Sequence, residues 1–178
     1  MKAVRGFTLI ELMIALAVAI VLFGFALPAV SGGLEAARSF DARSSLLTSL
    51  MLASNRATLT GTRAVLCPSP DGSHCADSAD WSAGWIVFLD VDGDREVDAG
   101  DRILKQTAAL AGKVRLHSTV GRTRIVFQGN GGNAGSNVTF TLCDGRGIAK
   151  AQALILNNLG GLREATASAA AIASTCVG

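Results

Sequence analysis

Proline is scarce, at 3 of 178 residues, and charged residues make up only 17% of the chain. Few prolines, with no Gly-X-Y period among the 20 glycines, exclude collagen-like and Pro-rich linker chains. A hydrophobic share of 49% excludes a disordered chain, and a net charge of +2 excludes a bulk packager of nucleic acid. No self-similarity appears at the periods of roughly 20–50 residues that mark solenoids. A catalytic constellation is also missing. The two histidines are His74, beside Cys75 in a loop, and His117, which alternates with Arg115; both are expected at the surface. The glycine-rich run 129–135 lacks the Lys-Ser/Thr of a phosphate loop and reads as a hairpin. No nucleophile, base and orienting acid can be nominated, so the chain reads as a non-enzyme. Its length suits one domain plus an accessory segment.

The N-terminus carries most of the information. Residues 1–6, MKAVRG, are short and basic through Lys2 and Arg5. A 24-residue apolar stretch follows, Phe7 to Val30, whose single charge is Glu11. As a helix it extends about 36 Å, enough to cross a bilayer core of about 30 Å with some tilt. The basic flank places the N-terminus in the cytoplasm and everything after Val30 outside the inner membrane. A cleavable signal peptide, with Ala26 and Ala29 near a cut, and a plain signal anchor are the rival readings. Neither explains Glu11, because a carboxylate in a membrane helix costs up to about 2.5–3.5 kcal/mol toward its centre and usually has a partner.

The run Gly6-Phe7-Thr8-Leu9-Ile10-Glu11-Leu12 resembles the processing site of type IV pilins and type II secretion pseudopilins. The resemblance implies that a prepilin peptidase cuts between Gly6 and Phe7 and N-methylates Phe7. Pro28 matches the family's helix-kinking proline. It further implies that Glu11 meets the free amine of a neighbouring subunit's Phe7 while the apolar helices pack as a filament core. The partners implied are other pilins or pseudopilins, the peptidase, an inner-membrane assembly platform and membrane lipid.

Helix formers dominate from Leu34 to Leu59, with Leu46, Leu47, Leu50, Met51 and Ser54 at helical spacing and Gly61 as a stop. On that face the helix is expected to cover a sheet, with Arg38, Asp41, Arg43 and Arg56 toward solvent. Seven short β-type runs follow: 63–67, 85–90, 102–106, 113–118, 123–128, 137–143 and 152–157. Without helices between them they imply antiparallel sheets. The expected fold is α+β, pilin-like: a leader at 1–6, a transmembrane helix at 7–30, its periplasmic continuation at 31–60 and a β-rich head at 61–178. The run Gly84-Trp85-Ile86-Val87-Phe88-Leu89-Asp90, the acidic turn after it, and Phe140-Thr141-Leu142-Cys143 resemble the GspH/FimT branch of minor pilins.

Four cysteines, Cys67, Cys75, Cys143 and Cys176, lie on the expected exported side, where disulfides form. Three pairings exist. Cys67–Cys75 is the local choice, and Cys143–Cys176 ties the Ala/Ser-rich tail back to a strand. No CxxC pair points to zinc. Charge is uneven: residues 71–101 hold nine acids against Arg95 alone, and 102–150 hold eight bases against Asp144 alone. Asp90, Asp92, Asp94 and Asp101 fall at the first, third, fifth and twelfth places of a calcium-type loop, with Arg95 where such a loop needs glycine. A polar strand connection is the other reading, and no other cofactor is expected. Some FimT-type pilins bind DNA through Gly-Arg-X-Arg. Here the corresponding place reads Gly160-Gly161-Leu162-Arg163, and a literal Gly121-Arg122-Thr123-Arg124 leads into a different strand. A DNA receptor resting on Arg122, Arg124 and Arg163 is therefore the alternative function.

Overall fold

The computed structural model describes residues 8–133, 135 and 137–177, with the side chains of 25–29 outside the description. Helix α1 runs Leu9–Thr60. Within it the chain divides into two compact units, Met1–Leu34 and Glu35–Gly178.

In the first unit every large apolar side chain from Leu9 to Phe23 is exposed, at 53–77%. Among the described residues no helix is long and apolar enough to cross a membrane. The described side chains of this segment break off at Gly24, and the apolar residues 25–29 lie outside them.

Among the described residues, the second unit contains the rest of α1, eight strands, a 3-10 turn at Ile148–Lys150 and a short C-terminal helix. The strands are β1 Arg63–Pro68, β2 Trp85–Asp90, β3 Arg102–Thr107, β4 Arg115–Ser118, β5 Ile125–Phe127, β6 Val138–Cys143, β7 Gln152–Leu156 and β8 Leu162–Thr166. Helix α2 covers Ala169–Cys176. Two four-stranded sheets form, ordered β3-β2-β1-β5 and β4-β6-β7-β8. All six pairings are antiparallel.

Along α1, Ser39, Ala42, Leu46, Ser49, Leu50, Ala53 and Ala57 are buried. Their spacing of three and four marks one face of a helix. Ala42, Leu46, Leu50, Ala53 and Ala57 share a core with Ala64, Leu66, Trp85, Val87, Ile125 and Phe127 of the first sheet and Leu116, Phe140, Leu142, Leu154 and Leu156 of the second. Most of the helix residues in this stripe are small, with Leu46 and Leu50 as its large members. Leu47 and Met51, expected on this face, are exposed instead. Counting bulky apolar residues overlooks a seam made by alanine and serine.

Trp85 is fully buried under α1, and its Nε1 donates to Ser49 Oγ at 3.0 Å. Ser49 Oγ in turn donates to the Ser45 carbonyl at 2.8 Å. Such a partner offsets the cost of burying an indole N–H, which Trp81 Nε1, buried without one among the described residues, does not have. Gly84, just before β2, has φ +107, and a Cβ there would stand 2.4 Å from the Thr107 carbonyl oxygen. Only glycine lets the chain enter β2 so close to β3.

The second contact of α1 is polar. Glu35 accepts from the Gly145 N–H at 3.1 Å and pairs with Arg38 at 2.6 Å. The Gly145 hydrogen bond, then the Arg38 guanidinium, hold the Glu35 carboxyl below its ordinary range. Beside them Asp144, its side chain 1% exposed, takes Arg146 Nε at 2.9 Å and Nη2 at 2.6 Å. Arg146, assisted by Ser39, lowers the Asp144 carboxyl as well.

Alternate residues of β1 and β2 face opposite ways. Val65, Cys67, Ile86 and Phe88 form a second core with Val126, against which Cys75, Val97 and Ile103 pack. The first sheet is thus buried on both faces, the outer one beneath the β1–β2 and β2–β3 connections. The β1–β2 connection also reaches the second sheet: the Trp81 N–H donates to the Leu116 carbonyl at 2.8 Å, and the Ser118 N–H to the Ala79 carbonyl at 2.9 Å.

Helix α1 stops where Gly61 takes φ +68 and its N–H bonds the Ala57 carbonyl at 2.9 Å, as the sequence indicates. Three expectations change. Strand β8, Leu162–Thr166, was unforeseen because its side chains are only half-buried or exposed, leaving no apolar alternation. The tail folds into α2, capped by Ser168 Oγ on the Ala171 N–H at 3.3 Å. Residues 129–135 are no hairpin, because β5 and β6 belong to different sheets. The segment instead crosses between sheets, with Ser54 Oγ donating to the Gly131 carbonyl at 3.2 Å.

Ser49→Ala strands the Trp85 N–H and is expected to cost about 1–3 kcal/mol. Urea unfolding of the detergent-solubilised chain checks this by tryptophan fluorescence, since Trp81 and Trp85 are the only tryptophans. The Asp144 carboxyl titrates lower folded than unfolded, so its contribution is complete above its ordinary value of 3.8 and is lost as pH falls through the lower folded value. Asp144→Asn should therefore destabilise by about 1–3 kcal/mol at pH 7, with the gap to wild type narrowing below about pH 4 in the same assay.

Candidate functional site

The first site is the start of α1. Thr8 precedes the helix, and its Oγ1 accepts the Glu11 N–H at 3.3 Å while its carbonyl accepts the Leu12 N–H at 3.2 Å. Thr8-Leu9-Ile10-Glu11 is a Thr-x-x-Glu capping sequence. Thr8 thus has a structural task that the reading centred on Glu11 overlooked, although the Thr-x-x-Glu spacing was there to signal it. Glu11, in the first helical turn, also places negative charge where the helix dipole favours it. Gly6 and Phe7, the expected cleavage and methylation positions, lie outside the described residues.

A helix apolar on all sides, with one carboxylate at its start, has no stable place in water. Its chemistry is association. Lipid or other apolar helices can cover the sides, and a cation can meet Glu11.

The cysteines are joined Cys67–Cys75 and Cys143–Cys176, with Cα separations of 5.4 and 5.6 Å. The first bond closes the start of the β1–β2 connection, and the second fastens α2 to β6. In the same connection Asp71 accepts the backbone N–H groups of Ser73 and His74 and bonds the His74 ring. Those bonds, the Ser73 N–H foremost, hold its carboxyl far below the ordinary value. His74 is largely exposed, and His117 lies half-buried 3.3 Å from Asp80.

The acidic run follows β2. Ligand oxygens of Asp90, Asp92 and Asp94 lie within 4.8 Å of one another. Asp90 is only 1% exposed, whereas Asp92 and Asp94 are at the surface. Burial pushes the Asp90 carboxyl up, Asp101 and Asp92 add to the push, and the Gly93 and Arg95 N–H groups oppose it. Asp101 stands at the other end of the loop and accepts the Val91 N–H at 2.9 Å.

The three arginines of the DNA alternative are differently placed. Arg124 pairs with Asp77 at 3.0 Å and with Glu96, and its Nε bonds the Arg95 carbonyl at 3.1 Å. Arg122 lies in the turn that begins at Thr119. Arg163 sits on β8, the outermost strand of the other sheet.

Comparison with known proteins agrees with this architecture. Residues 42–160 match the family model described as type II transport protein GspH. Residues 1–27 match the prokaryotic N-terminal methylation motif. No curated protein sequence matches. Among solved structures, the chain is similar to the type IV minor pilin FimU of Pseudomonas aeruginosa strain PAO1 in two crystal forms. In space group P21 the TM-score is 0.56 at 15% identity, over 76% of this chain and 91% of that one. In space group P65 it is 0.54 at 16% identity, over 70% and 90%. The likeness to FimU establishes a shared α+β fold, an N-terminal helix packed on antiparallel sheets. With the GspH model covering two thirds of its length and the methylation motif at its start, the chain belongs to the GspH family.

Proposed function

We propose that the protein is a structural subunit of a type II secretion pseudopilus or a type IV pilus, held in the inner membrane before assembly. A prepilin peptidase cuts between Gly6 and Phe7 and methylates the new amine. The apolar start of α1 spans the membrane with its N-terminus cytoplasmic and the β-rich unit periplasmic. An assembly platform then draws that helix into a bundle of neighbouring pilin helices.

The observation that carries this reading is the helix from Leu9 to Phe23, apolar and exposed on every face, with Glu11 as its lone charge. Transfer from lipid to a helix bundle keeps the apolar side chains dry. A carboxylate in either setting must be neutralised, and a neighbour's Phe7 amine supplies the charge. The capping bond from Thr8 supports the reading too, because it starts the helix within two residues of the proposed cut. Arg124 is occupied by two carboxylates, which favours assembly over DNA reception.

Gly6→Ala should leave the precursor uncut, and intact mass spectrometry of the membrane fraction would then find a chain beginning upstream of Phe7. The mature mass in that variant would overturn the processing step. Glu11→Ala should enter the membrane at wild-type level yet fail to appear in sheared filaments or to crosslink with neighbouring pilins. Ordinary incorporation would refute the role given to the carboxylate.

A further inference from the structure

The β2–β3 connection holds a feature that assembly does not use. Asp90, the last residue of β2 and the first place of the loop, is 1% exposed. Asp90 Oδ1 accepts the Gly93 N–H at 2.8 Å, but Oδ2 is buried with no hydrogen-bond partner among the described residues. Asp101, at the twelfth place, repeats the pattern: Oδ1 takes the Val91 N–H, and Oδ2 is buried without a partner. A buried carboxylate oxygen without a donor is costly, and several carboxylates close together add mutual repulsion. The nearby arginines do not relieve it. Arg63 Nη1 bonds the Gly93 carbonyl at 3.3 Å, and Arg124 bonds the Arg95 carbonyl and Glu96.

We propose that residues 90–101 form a calcium site, with Asp90, Asp92 and Asp94 as the central ligands and Asp101 as a fourth carboxylate. The unpartnered Oδ2 of Asp90 belongs to the side chain that offers an oxygen alongside Asp92 and Asp94 within 4.8 Å. All donors are hard oxygens, which suits calcium and not zinc or copper. A twelve-residue loop with acids at places one, three, five, nine (Asp98) and twelve follows the spacing of known calcium loops. Such loops turn sharply at the sixth place, usually on glycine. Arg95 stands there, which in the sequence tells against the site. The structure removes that objection, since Arg95 takes φ +69, the sole non-glycine with positive φ among the described residues. Val97, at the eighth place, packs against Val65, Phe88 and their neighbours and fixes the loop to the sheet. Backbone carbonyls and water would complete the six to eight oxygens that calcium takes. Magnesium, which demands near-octahedral geometry and keeps its water, fits a flexible carboxylate loop less well.

The test is calcium titration of the full chain, stripped with chelator and held in detergent, followed by tryptophan fluorescence during thermal unfolding. Isothermal calorimetry runs alongside. Calcium chloride should raise Tm and bind one ion per chain, with Kd on the order of 10⁻⁴–10⁻³ M or tighter. Magnesium chloride at equal concentration should give a much smaller shift. Asp92→Asn and Asp94→Asn should each weaken calcium binding by about tenfold or more while leaving the metal-free Tm unchanged or higher, because each removes like-charge repulsion. Asp41→Asn, on the exposed side of α1, should respond as wild type does. The proposal falls if wild type unfolds cooperatively with no calcium-dependent shift up to millimolar levels. It falls equally if the loop variants keep the full shift, or if Asp41→Asn loses it.

Discussion

Burying an indole is costly when its N–H finds no acceptor, and of the two fully buried tryptophans Trp85 has one while Trp81 Nε1 has none among the described residues. The acceptor of Trp85 is Ser49 on the opposing helix, whose hydroxyl in turn donates a hydrogen bond to the Ser45 carbonyl. That chain of two bonds ties the first residue of β2 to the middle of the helix. It requires a small polar residue at position 49 and small neighbours around it, which Ala42, Ala53 and Ala57 supply. Residues of both sheets meet the same helical face. The core is thus shared by the helix and both sheets.

Large parts of this arrangement are legible in the sequence. The limits of β2 at Trp85 and Asp90, the end of α1 before Gly61 and the antiparallel character of the sheets all follow from local patterns. Those patterns are strong because β2 is buried on both faces and Gly61 sits in a left-handed turn. Legibility fails where the side chains carry little hydrophobic signal. Strand β8 is written in Leu162, Arg163, Glu164, Ala165 and Thr166, and only its backbone pairing with β7 makes it a strand. Helix α2 is alanine-rich without a clear apolar face, and Ser168 is its main local marker. The helix seam lies away from Leu47 and Met51, because most of its buried residues are alanine and serine, which carry little hydrophobic signal.

At the functional end, the sequence indicates Glu11 because charge is rare in its surroundings. Its second role, in the first turn beside Thr8, is easy to pass over once the carboxylate has drawn all the attention. One short segment therefore carries both the signal that starts the helix and the lone charge on which the proposed assembly rests. The acidic loop shows the converse. There the spacing is evident in the sequence, while Arg95 at the turning place counts against it until its backbone conformation is known.

The borders of the two sheets bear on how copies of this chain meet. A polymer built by helix packing must keep its globular parts from zipping together strand to strand, since any free border is a template for pairing. Each of the four borders is blunted by its own means. Strand β3 carries Arg102 and Lys105, and β8 carries Arg163 and Glu164. Strand β5 is only three residues long. Strand β4 is covered by the segment around Asp80 and Trp81. With lateral strand addition discouraged on all sides, the heads are left to touch through loops and side chains. In an assembly of the proposed kind, the packing of apolar helices alone would then set the direction of growth.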